Sequence, residues 1–190
     1  MDLENLSVKI KSGLEEIGKP FSDFHEKSKM VCPPNCGKCC YNPDIACHPY
    51  ELLPLALDLL ERNLAEEYLA KAKNSKDGIC VLLDKVHPES GLGRCTDYQN
   101  RPSICRAFAV SGRLNKKNEI ELSVCKKLKE LYSMEDFHFA NDEVPYISLV
   151  KRKLEAIDPV MIGPQININE ALIIILEKVL LRQSFQKTNQ

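Results

Sequence analysis

The chain has 190 residues, 44% of them hydrophobic, which suits one domain with a real core. Its 26 Lys and Arg nearly balance 27 Asp and Glu, and a net charge of −1 excludes an electrostatic case for nucleic acid or an anionic membrane. The opening Met1-Asp2-Leu3-Glu4-Asn5-Leu6 lacks a secretory core, and the most apolar stretch, Ala171–Leu176, is too short to span a bilayer; a soluble, cytoplasmic protein is expected.

Leu3, Leu6, Ile10, Leu14 and Ile17 recur at helical spacing, and Gly18-Lys19-Pro20 predicts the stop. Ser22 then caps a short second helix. Pro33-Pro34 forbid helix in the segment that follows. Leu53, Leu57, Leu60, Leu64 and Tyr68 form one helical stripe for the core, with Pro54 near its start. Gly78–Leu83 reads as a short strand, Asp84–Gly93 as a loop and Ser103–Phe108 as one helical turn. Val110–Leu114 and Glu119–Val124, joined by Asn115–Asn118, predict a hairpin. Asn141, Asp142 and Glu143 open a helix carrying Val144, Ile147, Val150 and Leu154, and Asp158–Pro164 is a linker. Asn167 with Glu170, or Asn169 alone, caps a last helix running to about Phe185. Apolar residues almost encircle that helix, which predicts burial within the domain or against another subunit.

The fold expected is mainly α with a small β-hairpin, a single domain over 1–190. Within it, a cysteine-rich metal-binding module at 32–125 packs on helices, and 126–190 forms a C-terminal helical part.

Chemistry concentrates in the thiols. Four fall within Cys32-Pro33-Pro34-Asn35-Cys36-Gly37-Lys38-Cys39-Cys40, and Cys47, Cys80, Cys95, Cys105 and Cys125 follow. Thiolate is the soft ligand that zinc and iron–sulfur clusters prefer, and short spacings let one loop supply several ligands. A reducing compartment disfavours structural disulfides, and the odd count of nine argues against a closed set of bridges, so metal is expected. Cys36-Gly37-Lys38-Cys39 forms a knuckle, while adjacent Cys39 and Cys40 tend to diverge and can serve different centres, or one can ligate and one pack. The eight cysteines other than Cys47 fill two four-thiolate sites, or one cluster with a remainder; their partition stays open.

A four-thiolate site around zinc or an oxidised four-iron cluster carries a charge of about −2. Arg94, Lys38, Arg101 and Arg106 lie next to ligand candidates in sequence, and Arg101 and Arg106, flanking Cys105, are expected to support the sulfurs. His25, His48, His87 and His138 are scattered. His48, beside Cys47, is an accessory-ligand candidate better read as a solvated loop or cap residue. Tyr98 is expected in the core with its hydroxyl bonded, and Asp97 as a turn cap. Cys36-Gly-Lys-Cys39 also mimics a thiol–disulfide exchange motif, but the strand-before, helix-after context is missing. No Ser/His/Asp set, carboxylate pair or phosphate loop stands out, so enzyme activity is left open.

The run Cys36-Gly-x-Cys39-Cys40 with Cys32 upstream, Cys80 before Val-Leu-Leu, Cys95-x-x-Tyr98 and Arg101-Pro102-x-x-Cys105-Arg106 with Phe108 resembles the CxxCxxCC cysteine-cluster family. The resemblance covers roughly Cys32 to Cys125. Three residues, not two, separate Cys32 from Cys36; Cys125 is similar to the family's late cysteine, and Cys47 lies outside the pattern. The resemblance implies a zinc- or iron-chelating domain. The family is in turn similar to flagellin lysine N-methylase, which implies a thiolate-held iron–sulfur centre and methyl transfer.

The expected function is therefore metal binding, by an iron–sulfur cluster or zinc held through Cys32, Cys36, Cys39, Cys40, Cys80, Cys95, Cys105 and Cys125, in redox chemistry or metal handling. Iron–sulfur is preferred because every strong ligand is a thiol and because of the methylase resemblance. Two alternatives stand beside it. One is a methyltransferase-like enzyme using such a centre. The other is a zinc-stabilised interaction module whose last helix meets a partner or a second copy.

Overall fold

The computed structural model describes residues 2–117, 119–133 and 143–188. It is mainly helical, with three small two-stranded antiparallel sheets among the described residues.

Helix α1 spans Leu3–Ser28, and Asp2 caps it by accepting from the Glu4 and Asn5 N–H groups. The predicted stop at Gly18-Lys19-Pro20 is overturned: the helix runs through Pro20. An interior proline costs about 3 kcal/mol. The continuing turns bury Phe21 and Phe24 at 3% exposure each. At roughly 1.5–3 kcal/mol per buried large apolar side chain, they offset it. Ser22 opens no second helix; its hydroxyl donates back to the Lys19 carbonyl at 3.0 Å. The helix ends where Lys29 turns left-handed at φ 57°.

The leucine stripe divides into α2 (Leu53–Glu61) and α3 (Ala65–Asn74). Asn63, at φ 57°, breaks the helix between them, and asparagine tolerates that left-handed position. Pro54 does sit in the first turn of α2. The most deeply buried face of α2 is Leu53, Leu55, Ala56 and Leu59, rather than Leu53, Leu57 and Leu60.

Two further segments differ from the sequence reading. Gly78–Leu82 is not strand: the Asn169 side chain donates to the Ile79 carbonyl at 2.8 Å and accepts from the Val81 N–H at 3.1 Å. Those backbone groups are thus satisfied without a sheet partner. The strand begins at Leu83 instead. β2 (Leu83–His87) pairs with β3 (Leu92–Cys95) across much of the predicted Asp84–Gly93 loop. A short β1 (Ala46–Cys47) pairs with β6 (Ile166–Asn167) at the foot of the last helix.

After α4 (Ser103–Arg106), the predicted hairpin is present as β4 (Val110–Leu114) and β5 (Ile120–Val124), followed by α5 (Lys126–Leu131). Asn118 in its turn, with His138, Asn141 and Asp142, lies outside the described residues. α6 (Ser148–Ile157) starts later than expected. The Pro145 carbonyl accepts from Gly112 N–H at 2.8 Å, and Ile147 N–H donates to Gly112 O at 3.1 Å, so this segment is drawn onto β4 first. The predicted Asp158–Pro164 linker contains a one-turn 3-10 helix, Pro159–Met161, that buries Met161.

α7 (Ile168–Thr188) packs on α3, α2 and the one-turn helix Pro49–Leu52, burying Ala171, Leu172, Ile175, Leu176 and Val179. Asn167 accepts from Asn169 N–H at 2.9 Å, as its predicted cap. Burial is one-sided, since Ile174 and Leu181 remain exposed. No described helix is long and apolar enough to cross a membrane.

Candidate metal centre

The cysteine-bearing loop is held as a third strand-like layer on the β2–β3 hairpin. Asn35 takes a left-handed conformation at φ 57°, and its carbonyl accepts from Gly93 N–H at 2.9 Å. Cys36 forms an isolated bridge with Leu92. The approach is close: a Cβ on Gly37 would lie 2.9 Å from Leu83 Cδ1 and 3.1 Å from the Gly93 backbone. Glycine is required here by contact, where the sequence suggested only turn freedom. The loop then curls so that Cys40 N–H donates to Gly37 O at 2.8 Å.

Distant segments bring the other thiols to it. Cys80 N–H donates to Cys40 O at 3.4 Å, tying the Asn169-held segment to the loop. Cys95 ends β3 opposite Leu83. Cys105 rides on the single turn of α4, whose Ser103 N–H donates to Glu51 Oε2 at 2.7 Å. Cys125 caps α5, with its N–H on Ala109 O at 2.8 Å.

All nine cysteines are free thiols. Each of Cys39, Cys80, Cys95 and Cys105 lies within electrostatic reach of the other three. Cys40 adjoins Cys39, Cys80 and Cys105. Cys32, with Cys36 and Cys125, forms an outer group within electrostatic reach of this set at Cys39. Among the described residues, no three His, Cys, Asp or Glu side chains are converged tightly enough to hold a single ion. The donors are thiols throughout, the set that suits zinc or iron.

The Cys39 and Cys40 sulfurs are 3.9 Å apart. The hydrogen bond from Cys40, helped by Arg101, outweighs burial and lowers Cys39 to about 7. The same bond and burial push Cys40 up, so it keeps the proton it donates. Burial pushes Cys80 up to about 12 and raises Cys95 and Cys105 as well. Cys32 is exposed as a residue but lines a cleft, where desolvation and then its neighbouring thiols push it up to about 11.

Arg101 is the cation these thiols share: its charge favours the thiolate at Cys32, Cys39, Cys95 and Cys105. Its Nε donates to Tyr98 O at 3.0 Å, and its guanidinium stacks 3.3 Å from the Tyr98 ring centroid. Tyr98 is thus an exposed platform for Arg101, correcting its expected place in the core; a ring under a guanidinium need not be buried to pack. Arg106 spends Nε and Nη2 on the Arg101 and Gln99 carbonyls, at 2.9 and 2.6 Å, bracing the loop that carries Arg101. Arg94 pairs with Asp84 at 3.1 Å on the surface. Asp97 caps its turn, accepting from the Asn100 amide at 2.9 Å.

Cys47 and His48 take structural positions. Cys47 is fully buried in the main core, and His48 accepts from Tyr50 N–H at 3.4 Å as the cap of the Pro49–Leu52 turn. His48 is a cap, as read, though buried rather than solvated. What the sequence missed is Glu51, wholly buried, which binds His48 N–H at 2.8 Å and Ser103 N–H at 2.7 Å. An acid three residues after His48 was the available signal, a capping-box spacing.

A cleft of about 440 Å³ opens onto the thiols between α1 and the α4 turn, lined among others by Cys32, Cys36, Cys39, Cys105, His25 and Arg101. No curated protein and no solved structure matches this chain. The family model CxxCxxCC, described as "putative zinc- or iron-chelating domain", matches residues 31–130, more than half of the chain and a span that holds all nine cysteines. The chain therefore belongs to the CxxCxxCC family, and metal binding is the function that membership supports.

Proposed function

We propose that Cys39, Cys80, Cys95 and Cys105 hold an iron–sulfur cluster that serves redox chemistry or metal handling. One observation carries the reading. These four thiols are in mutual electrostatic reach, yet among the described residues no three side chains are converged on a single-ion point. A core of several iron and sulfide atoms can reach thiols that do not meet at one point, and four cysteines are its usual complement.

The chain's own residues have distinct parts in this reading. Cys40 keeps its proton and donates to the Cys39 sulfur, and hydrogen bonds to ligand sulfurs tune reduction potential. Arg101, steadied by Tyr98 and by the loop that Arg106 braces, offsets the negative charge of the thiolates. The bound group would supply electron transfer. Burial of Cys80 limits access of water on the inner side.

Zinc is the second reading, favoured by the 3.9 Å between the Cys39 and Cys40 sulfurs. That separation is close to the roughly 3.8 Å S···S edge implied by tetrahedral Zn–S bonds of about 2.3 Å. Zinc bound by Cys39, Cys40, Cys80 and Cys105 would be a structural centre supporting an interaction role. Anaerobic purification with a visible spectrum and iron, sulfide and zinc analysis separates the two. A brown protein with equal iron and sulfide is expected. A colourless protein with zinc overturns the cluster in favour of the second reading, and a protein with neither metal overturns both.

A further inference from the structure

We propose that the cleft between α1 and the α4 turn is the route by which metal reaches this centre, with Cys32 and Cys36 as its first, temporary ligands. The inference rests on the thiolate-centre reading above. Four thiols open to this cleft of about 440 Å³: Cys32, Cys36, Cys39 and Cys105. Cys80 and Cys95 are not among its lining residues. Exposure falls along the same path, from exposed Cys32 through half-buried Cys36 and Cys39 to Cys80 at 7%.

Cys39 joins the two groups. It neighbours Cys32 on the outer side and Cys80, Cys95 and Cys105 on the inner side. Cys39 therefore stands between the thiols of the cleft and the buried ones, where an ion can be handed inward. The segment carrying Cys32 and Cys36 is linked to the hairpin through the Asn35–Gly93 hydrogen bond and the Cys36–Leu92 bridge, both of which lie downstream of Cys32.

A second cleft, of about 730 Å³, reaches Cys80 beside Glu67 and Asp77. It offers one thiol beside two carboxylates that already pair with Lys71 and Lys85, whereas a thiol-lined wall suits zinc and iron.

The exchange balances without electron transfer. A hydrated divalent ion exchanges bound waters for the Cys32, Cys36, Cys39 and Cys105 sulfurs of the cleft, whose protons go to solvent. Transfer replaces the Cys32 and Cys36 sulfurs with those of Cys80 and Cys95. The inner pair releases its protons as Cys32 and Cys36 take protons back.

The test uses the full chain, stripped of metal and kept reduced, mixed with cobalt(II) while thiolate-to-cobalt absorption is followed with time. Wild type is compared with C32S/C36S and with E67Q in the other cleft, and far-UV circular dichroism checks that each is folded. The double variant should load about tenfold more slowly, a size typical of lost metal-supporting contacts, and reach the same final spectrum and stoichiometry. E67Q should load at the wild-type rate. Equal rates for wild type and C32S/C36S overturn the proposal, as does slow loading confined to E67Q. A lower final stoichiometry in C32S/C36S also overturns it, because the two thiols would then be resident ligands. Failure of the wild type to bind cobalt overturns the centre itself, a distinct result.

Discussion

Glu51 Oε2 accepts a hydrogen bond from Ser103 N–H at 2.7 Å, with the glutamate wholly buried. The other oxygen accepts from His48 N–H at 2.8 Å. One carboxylate thus joins the turn after Cys47 to the turn bearing Cys105, across 52 residues of chain. The placing of the Cys105 turn therefore depends on a residue outside the cysteine set.

Replacing Glu51 by Ala leaves two buried N–H groups without their acceptor. At about 1–3 kcal/mol for each unsatisfied group, the loss should be roughly 2–6 kcal/mol in denaturant unfolding. Metal affinity should fall with it, because the Cys105 turn is no longer fixed. A shift within the few-tenths range of a neutral surface change would remove Glu51 from this role.

Arg101→Gln should weaken metal binding by about 10–100-fold, the range seen when a supporting partner of a metal ligand is lost. It should also raise the Cys39 thiol, since the guanidinium favours its thiolate. Thiolate absorbance followed against pH in the stripped protein reads this directly. Arg101→Lys keeps the charge and forfeits the Tyr98 stacking, so an intermediate result is expected. An unchanged titration would show that Arg101 does not act on the thiols.

Metal affinity should rise with pH across neutrality. Cys80 is held near 12, and Cys95 and Cys105 are raised, so all three are protonated at neutral pH and must release protons to bind. Cys39, near 7, is already partly thiolate. About three protons should therefore leave per centre formed, readable from the slope of log affinity against pH. Folding of the stripped protein has the opposite sense. A thiol at 9.0 when unfolded and about 12 when folded contributes stability that is intact below pH 9 and lost between 9 and 12. Thermal unfolding at pH 8 and pH 10, with and without metal, checks both signs.

Cys47→Ala should leave metal stoichiometry unchanged and lower stability by about 1–2 kcal/mol, as a small core truncation does. Cys95→Ser should instead abolish or reduce the centre while costing the stripped protein little, because Cys95 is only half-buried. Metal analysis beside unfolding curves distinguishes the two. Loss of metal in Cys47→Ala would make Cys47 a ligand.

Gly93→Ala tests the docking of the cysteine loop. The added Cβ would lie 2.7 Å from Asp84 O and 2.7 Å from Leu83 Cδ1, so the β2–β3 pairing must open. A cost of about 1–3 kcal/mol is expected for such overpacking, with weakened metal binding. Wild-type affinity in this variant would show that the hairpin does not position Cys36 and Cys95.

Local patterns were legible where neighbours in sequence decide the structure. The heptad-like run from Leu3 to Ile17, the β4–β5 alternation around a polar turn, and the Asn167 cap all depend on contacts a few residues apart. The misread elements depend on distant partners. Helix continues through Pro20 because Phe21 and Phe24 find burial, and Gly78–Leu82 leaves the sheet because Asn169 supplies its hydrogen bonds. β2 and β3 lack strong alternation, and the loop from Asn35 to Gly37 docks on them.

By itself the sequence determined the donor inventory, since nine cysteines, with no matching His or carboxylate set, are the residue types that soft metals prefer. Only the tertiary structure decided which thiols neighbour one another, that Arg101 rather than Arg94 faces them, and that Cys47 belongs to the core. The reason is physical: residues 39, 80, 95 and 105 lie on four separate segments, and their approach is fixed by Asn169, Glu51 and the Gly37–Gly93 contact, none of which carries a ligand.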